Sequence, residues 1–174
     1  MSSKKISENT RAKISGCDIF RKLEKPPLSM IQTFSHFFLQ FNLSIPDIET
    51  MKMNIILGYS NPSLFGTLIS NVQIYIDITF SIILHPFYQY LIIMVYDIQT
   101  TVYLPVMYML ITGKSDSLYW YCLHWMIVFS GWRLEPFSVT CDFEKTLHNA
   151  VTGQFKEFKL NGCLFHWKQA IHRK

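Results

Sequence analysis

The sequence predicts an α/β domain built on a mixed sheet of five strands flanked by helices, and three observations predict it. Between Val72 and Ile111, three runs rich in Ile, Val, Tyr, Thr and Phe follow one another through short links, as in an antiparallel meander. At Gly113 the apolar period switches from strand to helix. From Pro136 to Leu164 a short strand, a helix and another short strand alternate, as in a sheet that grows through a helical crossover. A length of 174 residues suits one hydrophobic core, and 49% apolar with 16% aromatic residues is too rich for a disordered chain.

Three segments are expected. Residues 1–28 form a basic flexible tail closed by Pro26-Pro27, which stops any helix. Residues 29–64 form a helical accessory segment. Met30, Ile31, Phe34, Phe37, Phe38 and Phe41 recur at helical spacing over Ser29 to Asn42, and a second short helix is expected from Met51 to Leu57, ended by Gly58. Residues 65–174 hold the sheet. Its first strand runs from Val72 to Ile82, its second from Phe87 to Tyr96 and its third from Thr101 to Ile111, with Asp97-Ile98-Gln99-Thr100 as a turn. Pro105 cannot donate to a ladder, which puts the third strand at a sheet edge. Ser115 or Asp116 then caps a helix with Leu118, Cys122, Met126 and Phe129 on one face, and Gly131 terminates it. Pro136 to Cys141 is the fourth strand. A helix from Asp142 to Phe158 turns Phe143, Leu147, Ala150, Val151, Phe155 and Phe158 inward, and the fifth strand covers Leu160 to Leu164. A basic helix opens at His166.

Charge is distributed unevenly. Seven Lys or Arg against three acids occupy residues 1–25, and five against Glu157 alone occupy residues 156–174, so each end is basic and the middle is acidic. A polyanion would meet the ends, although solvated basic termini account for the same pattern. The four cysteines follow no framework spacing and the basic N-terminus lacks an apolar signal segment, so free thiols in an intracellular compartment are expected. Ile78 to Tyr96 is free of Asp, Glu, Lys and Arg, as a membrane span would be. His85-Pro86 and Gln89 interrupt it, and two neighbouring buried strands explain it better than a span. No membrane insertion is expected.

Asp77 stands inside an apolar strand between Ile76 and Ile78, and Asp142 stands where the fourth strand ends. A buried carboxylate costs on the order of several kcal/mol unless it is paired or bound to a cation. If the first and fourth strands are neighbours, the two carboxylates converge. Such a pair can hold divalent metal for phosphoryl transfer, although a lone strand aspartate is more often an edge or turn residue. Cys163-x-x-His166 offers a thiolate and an imidazole. A structural zinc site needs four ligands, and only the remote His148 and His172 could help, so zinc is not expected. No nucleophile elbow or glycine-rich phosphate loop is present.

Three antiparallel strands, a helix, then strand, helix and strand is the element order of an RNase H-like domain. By that analogy the strand order is 3-2-1-4-5, incomplete at the C-terminus. Tyr75-Ile76-Asp77-Ile78-Thr79-Phe80 is similar to the Asp-Gly-Thr-Phe strand of the MULE-type (Mutator-like element) transposase domain. Pro86-Phe87-Tyr88-Gln89, Leu104 to Leu110 and Lys114 to Tyr119 resemble its next blocks. Asp142-Phe143-Glu144-Lys145, Asn149-Ala150 and Gly162-Cys163-x-Phe165-His166-x-x-Gln169-Ala170-x-x-Arg173-Lys174 resemble its second half. The resemblance spans about residues 65–174, in order.

It implies a DDE-type transposase, cutting and joining DNA with Mg²⁺ or Mn²⁺, nuclear and able to form homo-oligomers. Asp77 would be the first metal-binding acid, Asp142 the second, and Cys163 with His166 the family's Cys-x-x-His element. Two departures qualify this. Ile78 replaces the family's glycine, and the third acid lies downstream of the Cys-x-x-His element, whereas this chain stops at Lys174. Glu144 lies in the same helical turn as Asp142, and Glu157 lies far along the helix. Strand transfer by these 174 residues is therefore expected to be absent or very weak. The competing expectations are a domesticated DNA-binding or regulatory protein without catalysis and a small membrane protein.

Overall fold

In the computed structural model, residues 22–25, 29–31, 36–47, 51–68, 70–80 and 85–172 are described. Most of the expected basic tail, Cys17, the middle of the first expected helix, the end of the first expected strand and Arg173-Lys174 lie outside them. The described residues form β1 (Leu39–Pro46), β2 (Met53–Tyr59), a 3-10 turn (Pro62–Thr67), β3 (Ser70–Thr79), β4 (Gln89–Asp97), β5 (Val102–Ile111), α1 (Asp116–Phe129), β6 (Glu135–Cys141), α2 (Lys145–Gln154), β7 (Lys159–Gly162) and α3 (Leu164–His172). This is a mixed α/β architecture. One seven-stranded sheet runs β1-β2-β5-β4-β3-β6-β7, antiparallel from β1 to β3 and parallel from β3 through β6 to β7.

Strand alternation places the core. Ile74, Ile76 and Ile78 of β3, Leu91, Ile93 and Val95 of β4, and Met107, Met109 and Ile111 of β5 are buried. They pack against Leu118, Tyr119, Cys122, Leu123 and Met126 of α1 and Leu147, Ala150 and Val151 of α2. Ser115 caps α1 by accepting from the Leu118 N–H, and the chain leaves α1 through Gly131 and Trp132, both in the left-handed region at φ +68° and +62°. A ten-residue helix such as α2 is marginal in water, so its three buried side chains hold it in place.

Several expectations are corrected. The sheet has seven strands, not five, because the segment expected to be helical supplies β1 and β2. The apolar spacing there also fits a strand: Phe41, Leu43 and Ile45 alternate along β1, and all three pack towards the main core. β2 buries Ile56 against the main core and Leu57 and Tyr59 against a second cluster with Phe87, so both its faces are apolar. A strand covered on both faces loses its alternation and imitates a buried helix. β5 is interior, between β2 and β4. Pro105 is tolerated because β2 pairs only with Tyr108 to Ile111, and because the ladder with β4 slips at Ile93/Met94, where Pro105 faces Met94.

The helix expected from Asp142 to Phe158 is shorter. It starts at Lys145, after Glu144 holds the N-cap position in an extended conformation without a side-chain cap, and it stops at Gln154, where Phe155 leaves in an extended conformation to enter the core. Phe143 does not face inward. It is exposed, with its ring against Gly162, where a Cβ would stand 2.4 Å from ring carbons. Among the described residues no helix is long and apolar enough to cross a membrane.

Candidate functional site

The site lies towards one end of the sheet, where β6 finishes beside the last residues of β3. Their parallel register pairs Ile76 with Cys141, and the next step along each strand brings Asp77 next to Asp142. Asp77 alternates away from Ile76 and Ile78, so it leaves the core for the opposite face of the sheet. β7 ends beside β6, with Gly162 paired to Cys141, and the Cys163 N–H continues the ladder by donating to the Cys141 carbonyl at 2.8 Å. The Cys163 carbonyl then accepts from the Trp167 N–H, starting α3. That turn swings His166 over both carboxylates. Its Nε2 stands 3.8 Å from Asp77 Oδ1 and its Nδ1 3.7 Å from Asp142 Oδ1.

The carboxylates are partly open, with Asp77 39% and Asp142 25% exposed in their side chains, and the imidazole is 21% exposed. His166 Nδ1 is buried without a hydrogen-bond partner. Asp142 Oδ1 accepts from the Phe143 N–H at 2.7 Å, and the Asp142 carbonyl lies 2.8 Å from His148 Nε2, which pins the strand-to-helix turn. Thr79 Oγ1 approaches Asp77 Oδ2 at 3.5 Å. Three of the four residues singled out from the sequence therefore converge through their side chains. Cys163 contributes its backbone, and burial pushes the thiol of its neighbour Cys141 up to about 12, so that group stays protonated near neutrality.

A second cluster at the same end escaped sequence reasoning. Glu144, 10% exposed in its side chain, pairs with Lys114 at 2.9 Å and accepts from Thr146 Oγ1 at 2.8 Å and the Tyr119 hydroxyl at 3.1 Å. The same Tyr119 hydroxyl reaches Gln89 Oε1 at 2.8 Å, and Gln89 Nε2 donates to the Gly113 carbonyl at 2.8 Å. Burial first and the Glu144 charge second push the Tyr119 hydroxyl up, so it remains a donor. The bond to Glu144 raises Lys114 and keeps its ammonium charged. The available signal was Gln89, a polar residue in an apolar strand and fully buried here.

Two carboxylates fit the donor chemistry of Mg²⁺ or Mn²⁺, which take oxygen ligands. Mg²⁺ usually accepts one or two protein carboxylates and completes its octahedron with water and substrate phosphate. Among the described residues no group of three or more His, Cys, Asp and Glu side chains is arranged to hold a metal ion. Fold and site together define a mixed α/β protein with an acidic pair on two adjacent parallel strands, Asp77 inside β3 and Asp142 just past β6. Comparison of the chain with protein-family models, with curated proteins and with solved structures found no match.

Proposed function

We propose that the chain is part of an RNase H-like, DDE-type transposase core of the MULE kind, acting on DNA in the nucleus. One observation carries the reading: Asp77 and Asp142, remote in sequence, meet within 4 Å of one imidazole on adjacent parallel strands. Two features support it. The run β5-β4-β3-β6-β7 within the seven-stranded sheet, antiparallel and then parallel, is consistent with the order that the resemblance implies. Ligands of open α/β sheets also gather beyond the carboxyl ends of strands, and Asp142 stands just past the end of β6.

Asp77 and Asp142 would hold the divalent ion, which when bound lowers the cost of charge on the reacting phosphate oxygens. The protein's own part is positional. β3 and β6 fix the two carboxylates, and the Cys163 turn fixes His166 between them. Glu144 cannot serve as a third acid, because Lys114, Tyr119 and Thr146 already claim its carboxylate. That commitment also favours the second reading, a DNA-binding protein that retains the fold without the chemistry.

Water-proton relaxation with Mn²⁺ tests metal binding without relying on activity. The chain is expected to enhance relaxation through one site, with Asp77→Asn and Asp142→Asn each abolishing it. Equal enhancement by all three proteins would rule out the acidic pair as the metal site.

A further inference from the structure

Lys114 sits in the short link between β5 and α1, and both sides of that link are fixed. The preceding Gly113 carbonyl accepts from buried Gln89, and the following Ser115 caps α1. The side chain is nevertheless 43% exposed, while its partner Glu144 is only 10% exposed. Glu144 is well supplied, since Tyr119 and Thr146 also donate to it. Lys114 is not. An ammonium has three donors, and Glu144 takes one.

The surroundings say what the remaining donors face. Lys114 Nζ lies 5.9 Å from the centre of the Phe80 ring, just past the end of β3, and the Asp142 carboxylate and Tyr88 both act on its charge. Lys114 therefore overlooks the end of the sheet that holds Asp77 and Asp142. An anion approaching two carboxylates is repelled unless a cation flanks them, and a cation anchored by a buried carboxylate loses little freedom on binding.

We infer that Lys114 is a phosphate-contact residue of this site, an ammonium anchored by Glu144 that takes a phosphodiester oxygen of nucleic acid lying across Asp142. The inference rests on the DNA-directed reading above and adds to it a specific contact.

Fluorescence anisotropy of the full 174-residue chain with a labelled mixed-sequence DNA duplex, over a series of KCl concentrations, tests it. Each phosphate neutralised contributes ~0.9 to the slope of log affinity against log salt. Lys114→Gln is expected to weaken binding several-fold at low salt and to lower that slope by about 0.9, whereas Lys114→Arg keeps it. Thermal unfolding run alongside measures what the lost ion pair does to the fold. A partly unfolded sample dilutes the binder but does not change the salt slope, so a merely structural role cannot mimic the result. An unchanged slope in Lys114→Gln overturns the phosphate contact and leaves the DNA-directed reading standing. Wild-type chain with no salt-dependent affinity overturns both.

Discussion

Tyr119 has no exposed surface, yet its single hydroxyl proton lies between two acceptors, Gln89 Oε1 and Glu144 Oε2. Removing it leaves a buried amide oxygen unsatisfied and a nearly buried carboxylate short of one donor, and nothing on the core side replaces it. Tyr119→Phe is therefore expected to lower unfolding free energy by about 1–3 kcal/mol, the cost of stranding buried polar atoms. Urea denaturation followed by circular dichroism measures this, and a loss under ~0.5 kcal/mol would show that water or a side-chain shift satisfies both acceptors. The contrast with Asp77 explains what could be read at this scale. A carboxylate amid isoleucines declares itself in one line of sequence, as does an aspartate at a strand tip. Gln89, Lys114, Tyr119 and Glu144 come from four separate segments, and each alone resembles an ordinary surface or cap residue. Only the tertiary fold turns them into a network.

At the scale of elements, β2 joins the rest of the sheet through its ladder with β5, and β1 adds aromatic packing on α1. Phe41 stacks on Trp125 and Phe129 with ring centroids 5.8 and 5.4 Å apart, and Phe65 extends the row from the 3-10 turn. This packing requires Gly58 on the neighbouring strand, because a Cβ there would lie 2.2–2.6 Å from three Phe41 ring carbons. Phe41 is buried and stacked, so it cannot swing clear without breaking the row. Gly58→Ala is expected to destabilise the protein by about 1–3 kcal/mol, the usual penalty of overpacking. In combination with Phe41→Leu the penalty should shrink, since the flat ring is what the methyl strikes. Additive losses in the double-mutant cycle would mean that the two residues do not meet. The same packing explains the misreading of this segment. Phe34, Phe37, Phe38 and Phe41 have helical spacing, but the structure uses Phe41 on the α1 side and Phe38 on the opposite side, with Tyr59 and Tyr108. A strand that serves two clusters spreads its aromatics over both faces. β3, β4 and β5 were legible because their β-branched runs are bounded by turn residues, and α1 because Ser115 and Gly131 mark its ends.

Across the whole molecule, the sheet face opposite α1 and α2 is a field of tyrosines. Tyr75 meets Tyr103 edge-on at 4.7 Å, Tyr96 lies 5.1 Å from Tyr103, and Tyr90 stacks on Tyr108 at 5.9 Å. These contacts link β3, β4 and β5. Burial is the leading cause that pushes the hydroxyls of Tyr59, Tyr75 and Tyr90 up to about 12, and it raises Tyr108 and Tyr119 as well. The consequence for stability has a definite sign. Above pH ~10 the unfolded chain loses tyrosine protons that the folded chain retains, so raising pH favours unfolding. The contribution is complete below pH ~10 and is lost as pH rises towards 12. Each such tyrosine costs at most about 1.4 kcal/mol per pH unit in that window, and less where its ring is part-exposed. Several together approach the marginal stability of an ordinary domain, about 5–15 kcal/mol. The fold is therefore expected to give way before these hydroxyls ionise in place. In a titration from pH 9 to 12, tyrosinate absorbance at 295 nm should rise with a cooperative component that coincides with loss of far-ultraviolet circular dichroism. Tyrosinate absorbance that is complete near pH 10 with the dichroism intact would show that this face is open to water, and that the sheet does not depend on its aromatic layer.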